Sequence, residues 1–326
     1  MLIFVENAIV AENLTKYFGS TKAIDSVSFT IKKGEIVGFL GPNGAGKSTT
    51  LRILCGLLRA HSGNAYIAGT SVALSPNLTK KHIGYMPENN PLIDELRVDE
   101  YLYFRARMKM ITKANRRKEV DEAMELCDLT RTAKKKIIRT LSKGYRQRVG
   151  IADCLLGKPD IIIMDEPTIG LDPHQIIAIR QLIDSLRGKM TVVLSSHILP
   201  EIEASCDRVI IINRGHIVAQ GSSKELREIF ATQNQFKLTL TSHPEELCAK
   251  LQELDPSIKI IDERACMEQP WSVFTIETAN KALSGQHFIQ LLRDPKYELK
   301  EVQALPLTLE DIFLTATKQS WRDSSF

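Results

Sequence analysis

Eight residues constrain what this chain can fold into more than any others. Gly41 to Ser48, GPNGAGKS, fit the spacing G-x-x-x-x-G-K-[ST] and lie between an apolar run, IVGFL, and a helical run, TTLRILCGLL. That order, strand then glycine-rich loop then helix, is the context in which such a loop cradles phosphate. Glycines let backbone N–H groups turn toward phosphate oxygens, and the start of the following helix adds positive partial charge. Lys47 brings a point charge for a β/γ-phosphate pair and Ser48 a hydroxyl for Mg²⁺. Pro42, Asn43, Gly44, Ala45, Gly46 and Thr49 complete the expected phosphate contacts. The bland alternative is a glycine-rich turn without a ligand.

The first two-thirds of the chain show what such a loop is mounted on. EIVGFL, IIIMD, TVVLSS and DRVIIIN are continuous apolar runs rich in Val and Ile, as suits strands buried on both faces of a parallel sheet. Alternation with helical segments makes this an α/β domain. Ligands of such sheets sit at the carboxyl ends of the strands. Two acids come after one run, Asp165 suited to Mg²⁺ and Glu166 to orienting and deprotonating an attacking water; His197 comes after another. Alone, the Asp-Glu pair would read as a turn cap, and the histidine as a structural residue.

Between about residues 97 and 156 the strand signal disappears. VDEYLYFRARM reads as a helix, and VDEAMELCDL sets Val120, Ala123, Met124 and Cys127 on one helical stripe, so a helical insertion is expected there. It ends in a second stretch suited to anions, LSKGYRQR, in which Ser142 is a plausible N-cap and a Ser-Gly helix start is itself an anion site. One nucleotide has little use for two helix starts of the same subunit at its γ-phosphate. Two copies placed head to tail would lend theirs to one another.

The ordered set GPNGAGKS, LSKGYRQR, IIIMDEP, GLDP and SSH resembles the ATP-binding subunits of ATP-binding-cassette transporters, over about residues 7–225. The resemblance implies a P-loop ATPase core with a helical subdomain at about 90–156, and ATP and Mg²⁺ as ligands. It implies that Ser142 and Gly144 of a signature motif close over the partner's ATP in a homodimer. Asp172 then bridges the two sites, His197 is the switch histidine, and an N-terminal aromatic stacks on adenine: Phe18, with Tyr17 as the alternative. Two departures stand out. Lys143 and Tyr145 replace the usual glycine and glutamine of the signature. Glu88, in IGYMPENN, stands where a γ-phosphate-sensing loop usually carries glutamine; a carboxylate keeps the acceptor for Mg²⁺ and loses the amide donor. That loop and the C-terminal region resemble the sodium-, drug-export and gliding-motility-associated branch.

After a punctuated stretch at Gly221–Ser223 the pattern changes to β-α-β-β-α-β, a ferredoxin-like α+β arrangement, which puts an ATPase domain at 7–230 and an accessory domain at 231–326. Net charge is +4, which gives no argument for a nucleic-acid partner. Six scattered cysteines without CxxC spacing read as reduced, mostly buried thiols of a cytosolic protein. The opening residues lack the basic region of a signal peptide, and no apolar run reaches the roughly 20 residues of a membrane span. A membrane role therefore calls for a separate permease, with this chain peripheral on the cytoplasmic face. The competing readings are an ATPase of the same family acting on ribosomes or DNA, and a lone P-loop kinase or GTPase. Relatives of the first kind usually carry two cassettes or a long coiled coil; a GTPase would want N-K-x-D.

Overall fold

In the computed structural model the described residues are 6–230, 234–241, 244–265, 270–293, 296–305 and 307–323, with 318–323 described by backbone alone. Contacts divide the chain into two compact units, residues up to Ser223 with those from Ala316 onward, and Lys224–Thr315. The boundary expected after residue 230 abuts 231–233, which lie outside the described residues, as does Cys266.

The larger unit opens with two long strands, β1 (Asn7–Phe18) and β2 (Thr21–Lys32), joined as an antiparallel hairpin. With β4 (Ser62–Ile67) and β5 (Thr70–Ser71) they form a sheet ordered β2-β1-β4-β5. The sequence reading missed this sheet. Register shifts come after Ala11 and Leu14, and Asn13 and Ser26 adopt φ near 50°, so the period of two is broken inside both long strands.

The second sheet runs β10-β9-β3-β8-β7-β6. Its strands β3 (Ile36–Leu40), β6 (Ile83–Met86), β7 (Ile161–Asp165), β8 (Thr191–Ser196) and β9 (Arg208–Asn213) are parallel, and β10 (His216–Gly221) is an antiparallel edge. Every residue of β3, β7 and β8 is buried, which is why these read as continuous apolar runs. Helices Val98–Met108, Lys113–Leu126 and Lys143–Leu155 occupy the strandless stretch, and Val120, Ala123, Met124 and Cys127 are all buried. The last of these helices crosses β6 so closely that a Cβ on Gly84 would meet the Cys154 backbone. The fold thus seats the LSKGYRQR helix on an edge strand without room for a side chain.

In the smaller unit β11 (Asn234–Leu240), helix Pro244–Leu254, β12 (Lys259–Ala265), β13 (Ser272–Thr278), helix Gly285–Leu291 and β14 (Leu299–Leu305) keep the β-α-β-β-α-β order. The sheet is antiparallel in the order β12-β13-β11-β14. Its core gathers Phe236, Leu238, Leu247, Leu251, Phe274, Ile276 and Phe288.

Burial governs the thiols. Cys55, Cys127 and Cys154 are buried free cysteines; desolvation pushes Cys154 to about 12 and Cys55 and Cys127 well up. Raised values leave little thiolate at pH 8. Native protein treated with a disulfide reagent at that pH should leave these three unlabelled, while denatured protein labels at all of them. Peptide mass spectrometry showing rapid native labelling of Cys154 would contradict the packing.

Candidate functional site

Sheet order decides which loops meet. β3, β8 and β7 are consecutive neighbours and parallel, so the loops leaving their carboxyl ends emerge side by side. The loop after β3 runs through Gly46, whose φ of 110° no other residue adopts comfortably and whose missing side chain leaves room for Ile24 and Ala23. Helix Lys47–Leu54 starts there with no acid in its first turn, so its N-terminal charge is unopposed locally.

Around that helix start lies a cavity of about 330 Å³, at the small end of ligand sites. Pro42 through Thr49, Glu88, Glu166 and His197 line it, together with Ala23 and Ile169. Lys47 is 6% exposed; its Nζ donates to Gly41 O at 2.8 Å and lies 3.4 Å from Glu166 Oε1. The other oxygen, Oε2, meets His197 Nδ1 at 2.9 Å. Glu166 is thus held between a buried ammonium and an imidazole, each on its own oxygen. Its φ of 51° is left-handed, a conformation uncommon for glutamate and concentrated at functional sites.

Ser195, opposite Asp165 in the β7–β8 register, fixes both acids: its Oγ donates to Asp165 Oδ1 at 2.6 Å and accepts from Glu166 N at 3.0 Å. Sequence reading had Ser195 only as part of SSH and missed Ala23 and Ile169. The signal for Ser195 was the parallel register, which pattern alone does not supply. Ser48 and Glu88 reach the cavity wall; Asp165, 1% exposed, sits behind it. These are oxygen donors only, the set a hard cation such as Mg²⁺ takes. No cluster of three or more His, Cys, Asp or Glu able to hold a metal occurs among the described residues.

Other expected residues are not at this wall. Gly41 is packed so closely that a Cβ there would collide with the Ile212 carbonyl oxygen. Phe18 is 52% exposed with Lys16 Nζ 5.6 Å from its ring, and Tyr17 stands edge-on to His61. Ser142 occupies the N-cap position but its side chain makes no capping hydrogen bond, which corrects the expected cap; it is exposed. The adjacent basic residues are not simply solvated: Arg146 pairs with Asp94 at 2.6 Å and Arg148 with Asp128 at 2.8 Å. Gly144 is buried against Gln175, whose backbone N–H donates to Asp172 Oδ1 at 2.9 Å, so Asp172 caps the helix Pro173–Ser185. Asn90, two residues past Glu88, donates to Arg146 O at 3.4 Å, joining the Glu88 loop to the LSKGYRQR helix.

Known proteins share this fold. Residues 24–169 match the family model described as ABC transporter. An uncharacterised ABC transporter ATP-binding protein of Bacillus subtilis (strain 168), YhcH, is 35% identical over 97% of this chain and 98% of its own length. The chain belongs to the ABC transporter ATP-binding family. The linearmycin resistance ATP-binding protein LnrL of the same strain is 33% identical over 96% of this chain and 99% of its own. Among solved structures, the MJ0796 cassette, in a dimeric post-hydrolysis state bound to ADP and Pi, superposes with a TM-score of 0.60 at 29% identity, over 66% of this chain and 98% of that one. The P-loop ATPase core of this ABC subunit is therefore a shared fold.

Glu88 at the cavity wall gives a direct test of its loop. In ATPase assays Glu88→Ala should lower turnover roughly ten-fold by removing an oxygen ligand, while Glu88→Gln, which keeps an acceptor, should stay within about three-fold of wild type. Equal rates for Glu88→Ala and wild type would reduce Glu88 to a loop acid.

Proposed function

We propose that this ABC subunit binds ATP with Mg²⁺, closes as a homodimer and energises a separate transmembrane permease from the cytoplasmic face of the membrane, for export. The observation that carries the reading is the continuous Lys47–Glu166–His197 contact at the mouth of the P-loop cavity.

A triphosphate in this cavity gives Lys47 a second anion to hold. Transfer of its ammonium from Glu166 to the β/γ-phosphates frees Oε1 to accept the proton of the attacking water, while His197 keeps Oε2 and the orientation of the carboxylate. The water oxygen bonds to the γ-phosphorus, the bond to the bridging oxygen breaks, and ADP and phosphate result. Ser48, Asp165 and Glu88 would hold Mg²⁺, which supplies charge neutralisation at the phosphates. Phe18, on the exposed end of β1, would stack on the adenine.

The homodimer rests on residues the cavity leaves out. Ser142 is exposed and its hydroxyl caps nothing, and neither it, Gly144 nor Asp172 lines the cavity of its own chain. A partner's ATP gives all three a role. The dimeric state named for the MJ0796 cassette supports this arrangement. No helix among the described residues is long and apolar enough to cross a membrane. Full-length similarity to a resistance protein favours export, and to transporter subunits favours a permease over a ribosomal or DNA target. The accessory or regulatory domain expected at 231–326 then corresponds to the smaller unit, which spans Lys224–Thr315.

Mixing two crippled chains tests the shared site. Lys47→Ala and Ser142→Arg proteins should each be inactive, because both identical sites of either dimer are broken. A mixed dimer holds both lesions in one site and leaves the other intact, so mixing should restore up to roughly a quarter of wild-type turnover. Mixed dimers that form, bind ATP and turn over nothing would contradict the composite site.

A further inference from the structure

The loop bearing Glu166 and the loop bearing His197 meet a second time, away from the cavity wall, at a buried carboxylate belonging to none of the motifs. Glu201, in the helix Leu199–Ser205, is 5% exposed. Its Oε2 accepts from Thr168 Oγ1 and also from Ser196 Oγ, the latter at 3.3 Å. Thr168 lies in the turn that begins at Glu166, closed by Ile169 N donating to Glu166 O at 3.3 Å and Leu171 N to Thr168 O at 3.2 Å. Ser196 immediately precedes His197, and its Oγ accepts from Ile198 N at 3.0 Å, so it is locked to the switch loop on both sides. One carboxylate oxygen therefore joins the two loops.

The other oxygen makes the arrangement costly. Glu201 Oε1 is buried and has no hydrogen-bond partner among the described residues. A bare buried acceptor costs on the order of 1–3 kcal/mol, more when charged, and an apolar side chain would fill the same space without it. What the carboxylate adds is a strong, charge-assisted acceptor for two hydroxyls at once. The distance it controls is the one between the loops, and hence the 2.9 Å contact between His197 Nδ1 and Glu166 Oε2.

We propose that Glu201 is a positioning residue for ATP hydrolysis, pinning the loop of Glu166 to the loop of His197. It does not line the cavity and acts through those two side chains. The inference rests on the hydrolytic reading above.

The test measures ATP turnover and equilibrium ATP binding side by side. Glu201→Ala should lower kcat roughly ten-fold with the ATP dissociation constant within about three-fold of wild type; Glu201→Gln, which keeps an acceptor oxygen for the hydroxyls, should recover most of the rate. In a His197→Ala background, Glu201→Ala should add little, because the contact it sets is already gone. Wild-type turnover in Glu201→Ala, parallel loss of binding and rate, or full additivity with His197→Ala would each overturn the proposal. Should Glu201→Ala be insoluble, Thr168→Val with Ser196→Ala removes the same two donors, and turnover within about two-fold of wild type in that pair overturns it as well. Wild-type protein that hydrolyses no ATP would instead defeat the hydrolytic reading.

Discussion

The buried ion pair between Lys47 and Glu166 is the interaction to which the rest of the ATPase core answers. Both side chains are about 7% exposed, and stranding either charge in such a place costs roughly 3–5 kcal/mol. The pair joins loops from β3 and β7, which are not neighbours; β8 lies between them. That intervening strand carries Ser195 next to its last residue and is followed at once by His197, the first fixing Asp165 and the backbone of Glu166, the second holding the far oxygen of Glu166. Strand order thus converts three separate stretches of sequence into one charged row. The ion pair sets the two buried charges against each other.

Much of this was legible in the chain because parallel strands bury both faces. IVGFL, IIIMD and TVVLSS stand out as apolar runs, and the residues just past each run lie, by topology, at the ligand edge. Glu166 and His197 were found that way and Lys47 from the glycine-rich loop motif, and the structure brings all three to the cavity. The features that stayed hidden did so for two physical reasons. The antiparallel sheet of β1, β2 and β4 has bulges and left-handed residues where a clean alternation would reveal it, so its strands read as irregular. Glu201 and Thr168 are meaningful only through a contact thirty-three residues apart, inside the protein. An acid in a helical sequence reads as solvent-facing until its burial is seen.

The LSKGYRQR helix shows how the same residues support another reading in three dimensions. Its Ser-Gly start suggested an anion site, to which Arg146 and Arg148 do not contribute, being engaged with Asp94 and Asp128. The part left over is small: an exposed serine whose hydroxyl caps nothing, at a helix start with no acid in its first turn. Gln175 packs over Gly144, with its Oε1 2.6 Å from where a Cβ would sit. That contact joins the LSKGYRQR helix to the helix capped by Asp172.

The central claim is that ATP is held between two chains, by the P-loop of one and Ser142 of the other. Sedimentation of Glu166→Gln protein with Mg·ATP measures it most directly, since this variant should retain nucleotide and accumulate the closed state. The account predicts a nucleotide-dependent shift from monomer to dimer, abolished when Ser142→Arg is added to the same chain although ATP still binds. A Glu166→Gln protein that binds ATP and remains monomeric at all accessible concentrations, or a dimer indifferent to Ser142→Arg, would contradict it.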